Sequence, residues 1–226
     1  MIRKKFSRLY HFIKQAAWEK LHKHDTRIFC IGLNKTGTTS LERALIDLGY
    51  EMGNQKKAEL LTRDYLKGDF DKIISFCSSA IAFQDSPFSY PKTWRYLVKS
   101  YPNARYIYTY REPEDWYNSI TRFHSKKFSK NKEIPTREEL QKAKYRYPGM
   151  MWDFYKANFP TDEPELYKKE TIVRLYKERR TEVEEYFEGK ENLLILDVSH
   201  QDSYKRLCTF LGKEPIYDTF PHLNKT

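Results

Sequence analysis

The residues from Gly32 to Ser40, Gly-Leu-Asn-Lys-Thr-Gly-Thr-Thr-Ser, have the composition of an anion-binding turn. They follow an apolar run, Ile28 to Ile31, and precede Leu and Ala residues at helical spacing. A strand, a glycine-containing turn and a helix in this order direct backbone N–H groups and the positive end of the helix dipole at one point. Lys35 and the hydroxyls of Thr38 to Ser40 add donors that suit a phosphate or sulfate group. The sequence therefore predicts an anion site in this turn.

The two glycines, Gly32 and Gly37, have the spacing of the nucleoside-triphosphate loop G-x-x-x-x-G-K-[ST], but the lysine is displaced. That loop has lysine directly after its second glycine, where this chain has Thr38. Lys35 precedes the glycine instead, so it cannot reach β- and γ-phosphates in the usual way. A nucleotide kinase or NTPase stays an alternative, because Leu193 to Asp197 resembles the strand and acid that support magnesium in such enzymes.

A second candidate anion site is formed by Arg111 and Ser119. Arg111 follows a run from Ala104 to Tyr110 whose alternating Tyr, Ile and Thr predict a strand. Glu112-Pro113-Glu114-Asp115 then opens a helix, since proline is favoured at the first helical position and acids in the first turn. Ser119 lies on that helix. A guanidinium and a hydroxyl so placed suit a second phosphate; the alternatives are a salt bridge from Arg111 to a neighbouring acid and a solvated serine.

Asp85 is the candidate general base. It follows another apolar run, Ala80 to Phe83, and the carboxyl ends of such strands are where open α/β sheets bind their ligands. A carboxylate there can take a proton from a bound hydroxyl. The alternative for Asp85 is a cap of the turn before Ser86-Pro87, and Glu51 and His124 are weaker candidates for the base.

The composition favours an anionic partner. Lysine and arginine number 41 against 31 acidic residues, which gives a net charge of +10. That charge and the 18 tyrosines are also what a nucleic-acid-binding protein, the second alternative, would require. Cys30, Cys77 and Cys208 lack metal-ligand spacing and are predicted to be structural thiols in a reducing compartment, with no metal site.

The elements that must position these residues predict a single α/β domain over residues 26–226, with a central, mainly parallel sheet flanked by helices. The predicted strands are Arg27–Gly32, Ala80–Phe83, Ala104–Tyr110 and Leu193–Asp197. Residues 122–190 are basic, aromatic and poor in β-formers, and they predict a helical insertion that covers the site. Its helices are expected at Arg137–Lys144, Tyr147–Asn158 and Thr171–Phe187.

Residues 1–25 predict a basic amphipathic helix. Such a helix either lies on an anionic membrane or docks on its own domain. The N-terminus has no continuous apolar segment of a secretory signal, and no apolar run approaches the roughly 18 residues of a membrane span. The expected location is the cytoplasm, with a peripheral position at the inner face of the membrane if the helix binds lipid.

Together these features resemble the sulfotransferases that use 3′-phosphoadenosine 5′-phosphosulfate (PAPS). In that family the first strand is followed by K-x-G-T-[ST], here Lys35-Thr36-Gly37-Thr38-Thr39, which holds the 5′-phosphosulfate. An arginine that ends a later strand and a serine eight residues on complete the 3′-phosphate site, here Arg111 and Ser119. Asp85-Ser86-Pro87 falls where the cytosolic branch has a catalytic histidine followed by x-Pro.

The resemblance covers most of the chain, since Phe220-Pro221-His222-Leu223-Asn224 also looks like bacterial members. It implies a P-loop NTPase-like sulfotransferase fold, PAPS as donor, no metal requirement and transfer to an acceptor hydroxyl. The implied catalytic residues are Lys35 and Asp85, and the implied cofactor-binding residues are Lys35, Thr36, Gly37, Thr38, Thr39, Ser40, Arg111 and Ser119. The Arg-Lys-Gly stretch of cytosolic enzymes has no clear match, and Lys225 or the backbone near Asn224 is the candidate replacement.

The acceptor is predicted to be a hydroxyl of a carbohydrate or glycolipid. The basic, aromatic segment 122–190 suits stacking on sugar rings and attraction of acidic glycans. A lipid head group reached from the N-terminal helix, and a small phenol or alcohol, are the alternatives.

Overall fold

The computed structural model describes residues 13–221, and a four-stranded parallel sheet lies at its centre. β1 (Ile28–Cys30), β2 (Ala82–Phe83), β3 (Arg105–Thr109) and β4 (Leu193–Leu196) lie in the order β2-β1-β3-β4. Each neighbouring pair is parallel. The predicted strands are therefore confirmed, with ends that differ by a few residues, and so is the α/β class.

Helices fill the long crossovers that parallel strands require. They are α1 (Thr38–Asp47) after β1; α2 (Gln55–Leu60), α3 (Thr62–Leu66) and α4 (Phe70–Phe76) before β2; α5 (Thr93–Ser100) before β3; α6 (Pro113–Phe128), α7 (Arg137–Lys142), α8 (Met150–Asn158) and α9 (Lys169–Phe187) before β4; and α10 (Ser203–Leu211) after it. A single 3₁₀ turn, Cys77–Ser79, follows α4.

The sheet is covered on both faces, which explains why its strands are almost wholly apolar. Successive side chains of a strand point to opposite faces. Phe29 and Tyr106 accordingly enter the larger core, while Ile28, Cys30 and Ile107 enter the core that includes residues of α1 and α10. The ring centroids of Phe29 and Tyr106 are 5.8 Å apart, so β1 and β3 are held together by side chains as well as by backbone hydrogen bonds.

The predicted insertion, residues 122–190, includes two kinds of structure. Its last helix, α9, packs against the sheet: Arg179 Nη2 donates to the Ile31 carbonyl at 3.1 Å, and the Phe187 ring lies 5.2 Å from that of Tyr106. The boundary at residue 122 falls within α6, because the helical pattern continues to Phe128. The end of α6, α8 and the loop before α8 contribute side chains at the carboxyl edge of the sheet, and the acceptor-side role of the segment stays a prediction.

The predicted N-terminal helix lies partly outside the described residues, which begin at Ile13. Residues 13–21 are helical. Ile13 and Leu21 are exposed, while Trp18 stacks on His22 at 4.4 Å and lies 5.9 Å from the Arg27 guanidinium. The contact of this N-terminal helix with a membrane stays a prediction. Among the described residues, no helix combines the length and apolar composition that crossing a membrane would require.

Candidate active site

A cavity of about 640 Å³ opens at the carboxyl edge of the sheet, where the segments that follow all four strands form its wall. Every site residue predicted from the sequence lines this cavity: Lys35, Thr36, Gly37, Thr38, Thr39, Ser40, Asp85, Arg111 and Ser119. Residues separated by more than 80 positions in the chain therefore face one space. This volume is in the usual range for a small-molecule site.

The turn after β1 is shaped by two residues with left-handed backbone, Lys35 (φ 72°) and Gly37 (φ 94°). Glycine is required at position 37, since a Cβ atom there would lie 2.1 Å from Cγ2 of Val198. Lys35 is not a glycine, so its left-handed conformation is strained and costs about 1–2 kcal/mol. Strain of this kind is typical of binding sites, and here it accompanies the one lysine of the turn.

Asn34 and Thr36 anchor the turn to the rest of the domain. The Asn34 carbonyl accepts from Trp116 Nε1 at 3.0 Å, and its side-chain oxygen accepts from Ser89 Oγ at 3.0 Å. The Thr36 hydroxyl donates to the Leu33 carbonyl and lies 2.6 Å from the Thr109 hydroxyl. These side chains are committed to the fold, so Thr36 offers a ligand only its backbone N–H.

The N-terminus of α1 is open to an anion. Gly37 supplies no side-chain cap, and the first turn has no acidic residue. The backbone N–H groups of Thr38, Thr39 and Ser40 make no hydrogen bond to any residue between 13 and 221. Unpaired N–H groups at a helix start carry a partial positive charge that favours phosphate or sulfate.

Lys35 and Arg111 are both without an ion-pair partner among the described residues. The salt bridge considered for Arg111 is therefore absent from that part of the chain. Burial lowers the pKa of Lys35, an effect that Asp85 opposes and that the charges of Arg111 and other cations reinforce. Its ammonium lies 4.4 Å from the centre of the Phe123 ring. An anion bound beside these side chains would satisfy both cations.

The backbone of Arg111 is held in place by Tyr176. The Tyr176 hydroxyl accepts from the Arg111 N–H at 3.1 Å and donates to the Arg111 carbonyl at 2.9 Å. The Tyr176 ring is in turn stacked on Trp116 at 4.1 Å. Ser119 lies one turn farther along α6 and is only 6% exposed, with no hydrogen bond from its hydroxyl to a described residue. It is therefore not the solvated serine of the alternative interpretation.

Asp85 lies at the opposite side of the Lys35 turn, after β2. Its backbone is also left-handed (φ 61°), and its Oδ1 accepts from the Ser86 N–H at 3.1 Å. Burial first, and the charge of Glu59 second, raise the pKa of Asp85 to about 7, although the Ser86 hydrogen bond opposes the shift. The carboxyl group can therefore gain or lose a proton near neutral pH, as a general base requires.

The structure gives different reasons against each of the two weaker candidates for the base. Glu51 does not line the cavity, and its carbonyl pairs with the N–H groups of Ile81 and Ala82. His124 does line it, but burial and the nearby Lys35 lower its pKa to about 3. A histidine so perturbed is a poor proton acceptor.

Sequence reasoning missed Glu59 and the apolar part of the wall. Glu59 is buried on α2 and forms an ion pair with Arg146, which precedes α8. Nothing in the short helix Gln-Lys-Lys-Ala-Glu-Leu indicated a site residue.

The apolar wall is formed by side chains of α6, α8 and the loop before α8: Phe123, Phe128, Tyr145, Met150, Met151 and Phe154. The aromatic richness of segment 122–190 was the only signal. Asn224 and Lys225 lie outside the described residues.

Within residues 13–221, a parallel α/β sheet has an open helix start after its first strand and cations without ion-pair partners at two neighbouring strand ends, an arrangement suited to a ligand with two anionic groups. Comparison with known families makes this specific: the model of the family described as "Sulfotransferase domain" matches residues 27–226, so the chain belongs to the sulfotransferases. The predicted family is confirmed, and with it sulfuryl transfer as the general reaction.

A solved structure supports the fold. The crystal structure of a sulfotransferase from Alicyclobacillus acidocaldarius matches 89% of this chain and 86% of its own, with a TM-score of 0.52 and 16% identity. At that identity the likeness concerns the fold alone, and it confirms the predicted sulfotransferase-like architecture. The comparison with curated proteins produced no match.

Proposed function

We propose that this chain transfers a sulfuryl group from PAPS to an acceptor hydroxyl. The observation that carries the proposal is the meeting of the Lys35 turn with Arg111 and Ser119 in one cavity. PAPS is anionic at its 5′-phosphosulfate and again at its 3′-phosphate, so it matches two separate sets of unpaired donors. A ligand with one anionic end would leave one set unused.

Lys35 and the start of α1 are proposed to bind the 5′ end. Sulfuryl transfer is an in-line exchange between two oxygens, and negative charge builds on the departing 5′-phosphate. Fixed N–H donors and an ammonium group aimed at that charge stabilise the transition state. The transferred group carries less negative charge than a phosphoryl group, so these donors suffice in the proposal without a divalent cation.

The order of the strands supports a placement of the nucleotide and the acceptor on two sides of β1. Arg111 follows β3 on one side of β1, and Asp85 follows β2 on the other. The nucleotide therefore extends from the Lys35 turn towards β3, where Arg111 and Ser119 receive the 3′-phosphate. The acceptor enters on the β2 side, where Asp85 takes the proton of its hydroxyl.

The acceptor class expected from the sequence is a carbohydrate or glycolipid. The apolar wall includes Tyr145, which is near enough to Asp85 for its charge to affect the phenol, and the rings of Phe128 and Tyr145 are 6.3 Å apart. The apolar face of a sugar ring, or a lipid chain, can pack on such a wall. A peripheral membrane position of the N-terminal helix would suit a glycolipid.

Ligand-dependent thermal stability tests the donor. We expect 3′-phosphoadenosine 5′-phosphate (PAP) to raise the melting temperature in the presence of EDTA, because a ligand at 100 times its dissociation constant stabilises by about 2.7 kcal/mol. Stabilisation by Mg-ATP instead would indicate the kinase alternative, and stabilisation by an oligonucleotide the nucleic-acid alternative. Absence of any PAP effect would overturn the proposal.

Transfer itself is then measured with PAPS labelled in its sulfuryl group. The label should move to a member of a panel of glycans, glycolipids and small phenols or alcohols. The identity of the labelled product decides between the carbohydrate acceptor and its alternatives.

A further inference from the structure

Among the histidines of residues 13–221, His124 alone lines the cavity, and the proposed reaction leaves it without a role. It lies on α6 and is only 3% exposed. The edges and faces of Phe128 and Phe154 enclose its ring, with centroids 5.6 and 5.5 Å away. Its Nδ1 lies 2.5 Å from the Tyr167 hydroxyl oxygen. The ring is therefore fixed in orientation, and Nε2 is the nitrogen left for a ligand.

The proton on His124 can be assigned from its partner. Tyr167 is buried, and burial raises the pKa of its phenol well above the ordinary value, so the hydroxyl keeps its proton. The hydroxyl has no other hydrogen-bond partner among residues 13–221. Its proton must then be donated to Nδ1, since a buried hydroxyl without an acceptor is costly. A neutral imidazole that accepts at Nδ1 carries its own proton on Nε2.

His124 is close to the groups that the proposed reaction uses. Lys35 Nζ lies 4.4 Å from the Phe123 ring, and the Phe123 and His124 rings are neighbours at 5.6 Å. Asp85 faces the same cavity from β2. The imidazole thus stands on the α6 wall of the cavity that also holds the turn proposed to bind the 5′ end and the residue proposed as base.

We infer that His124 donates its Nε2–H to the sulfuryl group during transfer, with Tyr167 as the residue that positions the imidazole. The inference rests on the proposed function. No covalent bond or proton changes hands at His124: it stays neutral and acts as a hydrogen-bond donor to an anionic group. The proton of the acceptor hydroxyl goes to Asp85, and the electron pair of the broken S–O bond goes to the departing phosphate.

A neutral donor suits this position. The site already holds Lys35 and Arg111, and a further positive charge in a buried space is unfavourable. This agrees with the low pKa of His124. A donor held by packing also needs no reorganisation when charge shifts during transfer.

Two amide variants separate the two nitrogens. In His124→Asn the amide reaches the position of Nδ1, so the contact to Tyr167 is kept and the donor at Nε2 is lost. In His124→Gln the longer amide reaches the position of Nε2 and restores a donor. Affinities for PAPS and PAP are measured for each by calorimetry, because these two ligands differ by the sulfuryl group.

We expect His124→Asn to weaken PAPS binding and turnover by roughly 10- to 100-fold, the usual range for a hydrogen bond to a charged group, while PAP affinity stays at the wild-type value. His124→Gln should recover much of the loss. Equal PAPS-to-PAP affinity ratios in wild type and His124→Asn, with unchanged turnover, would overturn the inference. Failure of wild-type protein to bind PAP would instead overturn the proposed function.

The tautomer is tested without turnover. In protein labelled with ¹⁵N-histidine, two-bond proton–nitrogen correlations distinguish the two neutral tautomers, and the signals of His124 are those missing from His124→Asn. The Nε2–H tautomer is expected in wild type, and a mixture in Tyr167→Phe, where Nδ1 loses its donor. An Nδ1–H or a doubly protonated ring in the wild type at neutral pH would overturn the assignment.

Discussion

The two sides of the cavity are built in different ways. The side proposed for the sulfuryl donor, here called the donor side, takes its polar groups from two short segments, 35–40 and 111–119: backbone N–H groups, hydroxyls, and two cations without an ion-pair partner among residues 13–221. On the acceptor side, the wall collects Glu59, Asp85 and apolar side chains as far along the chain as Phe154. The donor side is thus a local property of two strand ends, while the acceptor side exists only after α2, α6 and α8 have packed together.

The electrostatics of the two sides differ as well. The donor side concentrates positive charge, with the start of α1 beside Lys35 and with Arg111 on the next strand. On the other side Asp85 loses contact with water and lies within reach of the charge of Glu59, and burial first and Glu59 second raise its pKa to about 7. In the proposed function, the first side attracts the nucleotide and the second accepts a proton. The comparison teaches that binding and proton transfer should be separable by mutation.

Replacement of Asp85 is expected to have the largest effect. Asp85→Asn should lower turnover by about 10²- to 10⁴-fold, the usual contribution of a general base, and leave PAP affinity unchanged. Asparagine tolerates the left-handed backbone at this position, so the fold should be kept. Steady-state kinetics and calorimetry measure the two quantities. Glu51→Gln, outside the cavity, is the matched control, and full turnover in Asp85→Asn would remove this residue from the mechanism.

Lys35→Ala tests the donor side at the reacting end. The loss of one preorganised donor at a developing negative charge should lower turnover by about 10²- to 10³-fold. The matched control is Lys127→Ala: the Lys127 ammonium lies 5.1 Å from the same Phe123 ring, but Lys127 does not line the cavity. Comparable losses in the two variants, measured with labelled PAPS, would show that general charge rather than the position of Lys35 matters.

Arg111→Ala sharpens the comparison at the nonreacting end. The substitution should weaken the binding of PAP by roughly 10- to 100-fold, as expected for a charge-assisted contact. It should hardly change the affinity for adenosine 5′-phosphate, which lacks the 3′-phosphate. Titration calorimetry with the two ligands gives the ratio of the two affinities. The control is Arg122→Ala, one turn after Ser119 on α6. Equal losses for both ligands would contradict the assignment of the 3′-phosphate.

Glu59→Gln should produce the smallest effect, a shift in pH dependence. Asp85 must be ionised to act, so kcat/KM of the wild type should rise with pH through about 7. The charge of Glu59 raises the pKa of Asp85, and its removal should move this rise to lower pH by up to about 1 unit. The pH profile of kcat/KM measures the shift. A profile that is unchanged or moves to higher pH would show that Glu59 and Asp85 are not coupled.

The sequence was informative wherever function depends on a short stretch of backbone. The shape of the turn from Lys35 to Ser40 depends on Gly37 and on the helix that follows, and both are visible in the order of the residues. Arg111 follows the end of β3, and Ser119 lies about two turns into the next helix, so their spacing is also set locally. Such relations hold before the chain folds, because they are set by backbone geometry over a few residues.

Other features had no local signal. Glu59 and Arg146 are 87 positions apart and meet only through the packing of α2 against the loop before α8. The Tyr167 hydroxyl contacts Nδ1 of His124 from 43 positions away. The pKa of Asp85 depends on how much water the surrounding helices exclude, which no run of residues around Asp85 records.

By itself, the amino-acid sequence determined the parallel α/β sheet, the anion-binding turn and the two segments proposed to bind a nucleotide. These follow from hydrophobic periodicity and from turn and helix-start chemistry, which act over a few residues. The tertiary structure alone decided that both segments face one cavity, that a half-buried Asp85 senses the charge of a second carboxyl group, and that an apolar wall completes the site. Those properties arise from burial and from side chains brought together by long crossovers, and they do not exist until the core has packed.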